Sequence, residues 1–108
     1  MDILQKIKEC FESDAILYTL HAKYEMENEE FGRIVEHEVY EAVCNGKVIE
    51  EYPEDRPYPS ALIFGKTATD RPLHVVCAYA DAESLVIIIT VYQPDPELWV
   101  EYKWRKKL

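Results

Sequence analysis

Two apolar segments, residues 73–79 and 85–92, constrain the fold of this chain more than any other feature. Both are rich in β-branched residues and carry apolar side chains at both alternating positions, which is typical of strands covered on both faces. The polar turn between them, residues 81–84, is too short for a crossover, so the two strands must pair antiparallel. We therefore predict that they are neighbours in the centre of a sheet.

Two more strands are predicted upstream, over residues 47–52 and 60–66. Pro53, Pro57 and Pro59 lie between them. Because proline cannot donate to a sheet ladder, this segment must leave the sheet or follow its edge. Short connections between consecutive strands predict a four-stranded antiparallel meander.

Helical patterns flank the strands. Three helices are predicted before them, over residues 3–12, 20–30 and 34–45. Thr19 is a suitable N-cap for the second helix, and Asn45 with Gly46 ends the third. Asp95 and Pro96 have the residue types of a helix start and predict a C-terminal helix. The chain is thus predicted to be one α+β domain over residues 1–108, with N-terminal helices, a four-stranded antiparallel sheet and a C-terminal helix.

Composition indicates a globular protein. Apolar residues make up 48% of the 108 residues and charged residues 31%, which suits a packed core. The apolar runs are too short for a membrane helix, and the first residues lack the layout of a signal peptide, so we expect a cytoplasmic protein. Cys10, Cys44 and Cys77 lie far apart among apolar neighbours and are expected to be reduced core residues.

The charge of the chain is unevenly distributed. Its net value is −9, and residues 1–56 hold 15 acidic and 6 basic residues, whereas residues 57–108 hold 6 of each. The acidic run between residues 25 and 41 is typical of a solvated helix face, or alternatively of a docking face for a basic partner. The dense basic cluster is C-terminal and supplies the candidate RNA-binding residues, Lys103, Arg105, Lys106 and Lys107.

No nucleotide-binding loop, zinc-finger spacing or HExxH motif occurs, so no metal and no nucleotide or other cofactor is expected. His21 opens the second predicted helix, where a histidine either packs or transfers protons. His74 lies in a central predicted strand and is either a hydrogen-bonded core residue or a general acid/base. Arg56 lies in the stiff proline-rich loop, which suits either ligand binding or a local ion pair. Tyr92 ends a strand, where it either packs or stacks on a base.

Many segments from about residue 18 to residue 107 match the pattern of one protein family. They are residues 19–22 (TLHA), Met26, 39–43 (VYEAV), 46–53 (GKVIEEYP), 55–59 (DRPYP), 62–65 (LIFG), 71–76 (RPLHVV), 89–96 (ITVYQPDP) and Trp99. On these segments the chain resembles the DUF4258 family of small bacterial proteins of unassigned function. That family looks like the RelE/BrnT-type toxins of toxin–antitoxin pairs. The resemblance implies a RelE/BrnT-like fold, an mRNA-cleaving activity and a zinc-finger antitoxin as partner.

The first hypothesis for function is therefore a metal-independent endoribonuclease. Such cleavage needs a base for the 2′-hydroxyl, a cation at the phosphate and an acid for the leaving oxygen. We assign proton exchange to His21 and His74, and base orientation to Tyr92. The candidate phosphate contacts are Arg56, Arg71 and Arg105.

This mechanism makes two demands on the fold. The proline-rich loop must fold back across the sheet to bring Arg56 towards His21 and His74, whereas Arg71 is one short turn from His74. The acidic helices must lie on the other side of the molecule from the phosphate site, because carboxylates repel phosphate. The second hypothesis is a non-catalytic interaction module that binds a partner through its acidic helical face.

Overall fold

The computed structural model describes residues 2–107 and has a mixed α+β architecture. Its helices are α1 (Ile3–Glu12), α2 (Leu20–Glu27) and α3 (Glu36–Cys44). Its strands are β1 (Ile16–Tyr18), β2 (Lys47–Tyr52), β3 (Ser60–Lys66), β4 (Pro72–Ala80), β5 (Leu85–Tyr92), β6 (Trp99–Val100) and β7 (Trp104–Arg105). Strands β1 to β5 form one sheet, and β6 and β7 form a separate short hairpin.

The main sheet has the strand order β1-β5-β4-β3-β2. Strands β2 to β5 pair antiparallel with their neighbours in the chain, while β1 pairs parallel with β5. The prediction for the two apolar segments is confirmed, because β4 and β5 are antiparallel neighbours and neither is an edge strand.

The predicted four-stranded sheet is wrong in its strand number, since β1 adds a fifth strand. β1 is only three residues long and pairs in the register Ile16 to Val86, Leu17 to Ile87 and Tyr18 to Ile88. A parallel pairing across some seventy residues leaves no local turn signal in the sequence, and a three-residue segment is too short for a reliable alternation. This strand shields part of the outer edge of β5, which would otherwise be an edge strand.

The predicted C-terminal helix is also wrong. Asp95 does act as a cap, since its carboxylate accepts a hydrogen bond from the Glu97 N–H at 2.8 Å, but the helical turn does not continue. Glu101 and Tyr102 have φ values of 52° and 62°, in the left-handed region that a helix cannot use. The chain therefore reverses into the β6–β7 hairpin. We call residues 99–105 the C-terminal hairpin.

The three helices pack on one side of the sheet, which we call the helix face. The strand residues buried there include Ile63, Leu73, Val75, Cys77 and Ile88. Gly65 permits the closest approach, because a Cβ atom at this position would lie 1.8 Å from the Ala42 carbonyl oxygen of α3. The opposite side of the sheet, which we call the hairpin face, is covered by the C-terminal hairpin.

The helices begin close to their predicted starts, but α2 and α3 are shorter than predicted. The Thr19 hydroxyl accepts from the Ala22 N–H at 3.0 Å and so caps α2, as predicted. Asn28 ends α2, because the following loop turns back and the Ile34 N–H donates to the Met26 carbonyl at 2.9 Å. Across residues 2–107, the helices all fall short of the length and apolar character needed to cross a membrane.

The cysteines are free thiols. Cys10 and Cys77 are buried in the apolar core, as predicted, whereas Cys44 is only half-buried. Burial raises the pKa of both core thiols, so they stay protonated at neutral pH.

Candidate functional site

A row of four side chains crosses the hairpin face of the sheet. Strand pairing sets Lys47 opposite Phe64, Phe64 opposite His74, and His74 opposite Tyr92. Because cross-strand partners point to the same side of a sheet, all four lie on one face. Glu50, which is paired with Leu62, belongs to the next row on the same face.

His74 is fully buried within this row, and both of its ring nitrogens are hydrogen-bonded. Nε2 lies 2.5 Å from the carbonyl oxygen of Tyr102 in the C-terminal hairpin, and Nδ1 lies 3.0 Å from the Tyr92 hydroxyl oxygen. A carbonyl only accepts, so Nε2 carries the proton, and in the neutral ring Nδ1 accepts from Tyr92. Burial lowers the pKa of His74 in spite of the opposing Tyr102 carbonyl, which favours the neutral ring.

Aromatic rings enclose the imidazole of His74. The Trp99 ring meets it edge-on with centroids 4.4 Å apart, and Phe64 and Tyr92 lie at 5.9 Å and 5.1 Å. The Tyr102 ring stacks on Phe64 at 6.2 Å. His74 is therefore the anchor that holds the C-terminal hairpin on the sheet, and it is shielded from direct contact with any ligand.

Beside this anchor lies a solvent-accessible ion pair between Glu50 and Arg105. The Arg105 guanidinium donates two hydrogen bonds to the Glu50 carboxylate, at 3.1 and 3.2 Å, and the Tyr52 hydroxyl donates a third. Burial alone would raise the pKa of Glu50, but the hydrogen bonds from Arg105 and Tyr52 outweigh it and lower that pKa. The Arg105 side chain is 64% exposed, and its guanidinium lies 4.7 Å above the Trp99 ring.

Tyr92 is hydrogen-bonded to the buried anchor and lies near enough to the ion pair to feel its charges. Its hydroxyl donates to His74, and burial raises its pKa to about 12, with smaller effects from the charges of Arg105 and Glu50. Together Glu50, Tyr52, His74, Tyr92 and Arg105 form what we call the hairpin-face cluster. Its exposed part offers a carboxylate, a phenol and a guanidinium within mutual hydrogen-bond reach, which are groups able to move a proton and to neutralise a phosphate.

His21 does not belong to this cluster. It lies on α2, on the helix face of the sheet, where its exposed imidazole Nε2 is 3.3 Å from the Glu25 carboxylate. His74 alternates along β4 with Leu73 and Val75, which face the helices, so its ring points to the other side of the sheet and faces the hairpin. The predicted proton exchange between His21 and His74 is therefore wrong, since the sheet separates the two rings.

Arg56 and Arg71 are also placed differently from the prediction. Arg56 donates to the carbonyls of Glu54 and Asp55 in its own loop, at 3.1 Å each. That loop leads into Ser60, which pairs with Ala78, four residues and roughly 13 Å along β4 from His74. A shared pocket of Arg56 with His74 is therefore wrong.

Arg71 holds the helix side together. It donates to the Glu38 carboxylate at 3.2 Å, to the Gln93 side chain at 2.8 Å and to the carbonyls of Arg33 and Gly32. These bonds tie the loop after α2, the start of α3 and the end of β5 to one guanidinium. Although only three residues from His74, Arg71 is thus committed to internal hydrogen bonds on the helix side, and its contact with phosphate stays a prediction.

The predicted RNA-binding residues lie on and directly after the C-terminal hairpin. Arg105, Lys106 and Lys107 are exposed, and Lys103 is half-buried at the hairpin turn. They are near neighbours in sequence, and they lie on or directly after a hairpin rather than at the end of the predicted helix. Their contact with RNA stays a prediction.

Much of the acidic run on α2 and α3 is occupied within the protein. Glu25 and Glu29 accept from the backbone N–H groups of Val91 and Gln93, at 3.4 and 2.9 Å, at the part of the β5 edge that β1 does not cover. Glu41 accepts from the Ala68 N–H at 3.0 Å. These carboxylates satisfy backbone donors, and α2 and α3 lie on the opposite side of the sheet from Arg105.

Sequence reasoning missed Glu50, Tyr52, Trp99 and Tyr102. Glu50 and Tyr52 occupy alternate positions of a predicted strand, so their common face was a usable signal. The role of Trp99 was hidden by the prediction of a helix. Within residues 2–107, no group of three or more His, Cys, Asp or Glu side chains is placed to hold a metal ion.

Comparison with known proteins places the chain in a family. The family model described as a domain of unknown function, DUF4258, matches residues 18–93. The matched region includes Glu50, Tyr52, His74 and Tyr92, and it ends before the hairpin that supplies Arg105. No curated protein and no solved structure matches the chain. Because the family model spans well over half of the chain, the protein belongs to the DUF4258 family.

Proposed function

We propose that this protein is a metal-independent endoribonuclease whose active site is the exposed part of the hairpin-face cluster. The observation that carries the proposal is the Glu50–Arg105 ion pair, which is hydrogen-bonded by Tyr52 and reachable from solvent. It lies on the side of the sheet opposite the acidic helices, where a phosphate meets less repulsion.

In this proposal Glu50 is the general base and Arg105 the phosphate-binding cation. An RNA phosphate competes with Glu50 for the Arg105 guanidinium, and a carboxylate released from its cation becomes more basic. Glu50 takes the 2′-hydroxyl proton, and the 2′-oxygen attacks the phosphorus while the bond to the 5′-oxygen breaks. The leaving oxygen takes a proton from water, and the product is a 2′,3′-cyclic phosphate.

His74 and Tyr92 act as positioning residues. The neutral His74 ring fixes the Tyr92 hydroxyl and the Tyr102 carbonyl, and so keeps Arg105 of the hairpin above Glu50. A small displacement of a catalytic group lowers a rate strongly, so this support contributes although His74 meets no substrate.

We further propose a toxin role within a toxin–antitoxin pair in the cytoplasm, with a zinc-finger antitoxin as the partner. Membership of DUF4258 and the resemblance of that family to RelE/BrnT-type toxins support this role, by analogy with the fold family. An mRNA-cleaving site on the hairpin face is consistent with it.

The test is cleavage of a single-stranded RNA by purified wild type and by Glu50→Gln, which removes the base and keeps the shape. We expect cyclic-phosphate products from the wild type and a rate about 100-fold lower for the variant. Glu97→Gln, at an exposed acidic residue just before the hairpin, is the matched control and should cleave normally.

Equal rates for the wild type and Glu50→Gln would refute the assignment of Glu50. Absence of cleavage by the wild type on mixed-sequence RNA would refute the enzyme itself. In cells, induced wild type should arrest growth, whereas induced Glu50→Gln should not.

The interaction-module hypothesis keeps one supporting observation. Leu20 and Tyr24 lie one turn apart on α2 and are 84% and 69% exposed, an uncommon apolar display for a helix. The glutamates that cap the β5 edge and bind Arg71 argue against an entirely free acidic docking face. If growth arrest required Leu20 and not Glu50, this second function would replace the first.

A further inference from the structure

Three lysines from distant parts of the chain converge beside the hairpin-face cluster. Lys47 begins β2, Lys66 ends β3, and Lys103 lies in the turn of the C-terminal hairpin. All three line a cavity of about 350 Å³, and Lys66 and Lys103 also line an adjoining cavity of about 310 Å³, which shares Phe64 as a wall. The hairpin supplies part of the wall of both cavities through Lys103, and both cavities are open to solvent.

The charges in these cavities favour an anion. Lys47 and Lys103 both line the first cavity, and the proximity of Lys103 lowers the pKa of Lys47, although the charge of Glu101 opposes this shift. Within residues 2–107, no carboxylate lies within 4.0 Å of either ammonium. Lys66 has Asp70 at 3.6 Å, and Glu101 is the acidic side chain that lines the second cavity. Three cations with two nearby carboxylates leave a net positive charge, which favours the entry of an anion.

The surroundings favour a nucleic acid over a free anion. Trp104 is 57% exposed and lies beside Lys103, whose ammonium is 5.7 Å from the centre of the Trp104 ring. Cations interleaved with exposed aromatic rings are typical of surfaces that bind single strands, because a base stacks on the ring while the lysines hold the backbone.

The first cavity, which Lys47 lines, is also adjacent to the proposed cleavage site. Lys47 and Glu50 lie on the same strand and the same face of the sheet, roughly 10 Å apart along the backbone. One RNA strand running along β2 therefore meets both. Lys47 is also paired with Phe64, whose ring packs on His74 and Tyr102. The backbone of Lys47 is therefore held in place by a packed neighbour.

We propose that Lys47, Lys66 and Lys103 form a subsite for a backbone phosphate of single-stranded RNA, one that flanks the Glu50–Arg105 pair. This inference rests on the proposed function for the identity of the ligand. It adds a binding subsite that holds substrate and takes no part in the proton transfer.

The test is the affinity of the full chain for a short fluorescein-labelled RNA in which every 2′-hydroxyl is methylated, so that cleavage cannot occur. For the double variant Lys47→Gln/Lys103→Gln we expect at least about 10-fold weaker binding and a log–log salt slope smaller by about 0.7, since the contact with one backbone phosphate is lost. Lys47→Arg keeps the charge and should bind like the wild type. Lys8→Gln, on α1 of the helix face, is the control for overall charge and should change affinity little.

Wild-type affinity and salt slope in the double variant would overturn this inference, even if Glu50→Gln abolishes cleavage. Lysine-dependent binding by a wild type that cleaves no RNA would support the subsite and refute the nuclease. Inorganic phosphate is the competitor that distinguishes the ligands. If it displaced the RNA at equal phosphate concentration, the site would be one for free anions and the assignment to RNA would fall.

Discussion

The two faces of the central sheet use charged residues in opposite ways. On the helix face, Glu25, Glu29 and Glu41 cap backbone N–H groups, and Arg71 joins Glu38 to three neighbouring segments. On the hairpin face, the Glu50–Arg105 pair and the lysines of the hairpin side stay open to solvent. A charged group whose hydrogen bonds are made within the protein stabilises the fold, but it has few free donors or acceptors for a ligand. We therefore propose the hairpin face as the functional side, although the helix face carries most of the acidic residues.

The largest effect should follow from disturbing the helix face at Gly65. A Cβ atom there overlaps the Ala42 carbonyl of α3, so Gly65→Ala must push the helix off the sheet. We expect a loss of about 3 kcal/mol or more in the free energy of unfolding, measured by urea denaturation. Lys66→Ala, at the next residue of the strand, is the control and should change stability by less than about 0.5 kcal/mol.

The hairpin face should be nearly as sensitive at its buried anchor. His74→Ala leaves a cavity and removes the partners of the Tyr92 hydroxyl and the Tyr102 carbonyl. We expect a loss of about 2–3 kcal/mol, together with a red shift of tryptophan fluorescence as Trp99 becomes exposed. His37→Ala, at an exposed histidine, should show neither change. A stable variant with unchanged fluorescence would mean that His74 does not hold the hairpin.

A smaller effect is expected for Arg71, which tests whether its bonds are structural. Arg71→Met keeps the length of the side chain but leaves the Glu38 carboxylate and two loop carbonyls without their donor. We expect a loss of about 2 kcal/mol in stability and a cleavage rate within a factor of two of wild type. A stable variant with strongly reduced cleavage would instead mean that Arg71 acts in the active site, and the two faces would then not differ in the way described.

The smallest predicted effect is a pH dependence of stability due to His74. Its pKa in the folded protein lies below the ordinary value of 6.5, because burial disfavours the charged ring. The unfolded chain thus binds more protons below pH 6.5, and stability falls as the pH drops from there towards the folded pKa. We expect a loss of at most about 1 kcal/mol between pH 7 and about 5.5.

The matched comparison for this effect is His74→Gln against His37→Gln. His74→Gln should flatten the dependence in this interval, because the titrating ring is gone. His37→Gln, at an exposed position, should keep it. Glu50 lies near His74, but its lowered pKa places its own titration below this window. Identical slopes for both variants would contradict the neutral, buried state of His74.

Most of the fold was predictable because it depends on local patterns. The strands from Lys47 to Tyr92 follow from apolar runs rich in β-branched residues, turn residues and short connections. The role of Thr19 as an N-cap follows from its residue type and position. β1 could not be predicted, since its parallel partner lies in a distant segment. The C-terminal hairpin was hidden behind a genuine helix-start signal at Asp95, and the burial of Trp99 against His74 overrides that signal.

The site was less predictable than the fold for a physical reason. His74 and Tyr92 were identified as candidates, but their roles depend on a carbonyl of the hairpin that no side-chain pattern reveals. Arg71 and His21 have side chains suited to phosphate binding and proton transfer. Only the structure shows that they lie on the helix side and bond to residues there. Glu50 looked like one more residue of an acidic chain, and its contact with Arg105 distinguishes it.

The most direct test of the contrast between the two faces is a map of amide chemical-shift changes on adding the methylated, uncleavable RNA. We predict shifts concentrated on the hairpin face, at Lys47, Glu50 and Phe64 and along the hairpin from Trp99 to Arg105, with α2 and α3 unaffected. Shifts concentrated on α2 and α3, with the hairpin face unchanged, would contradict the placement of the RNA site on the hairpin face.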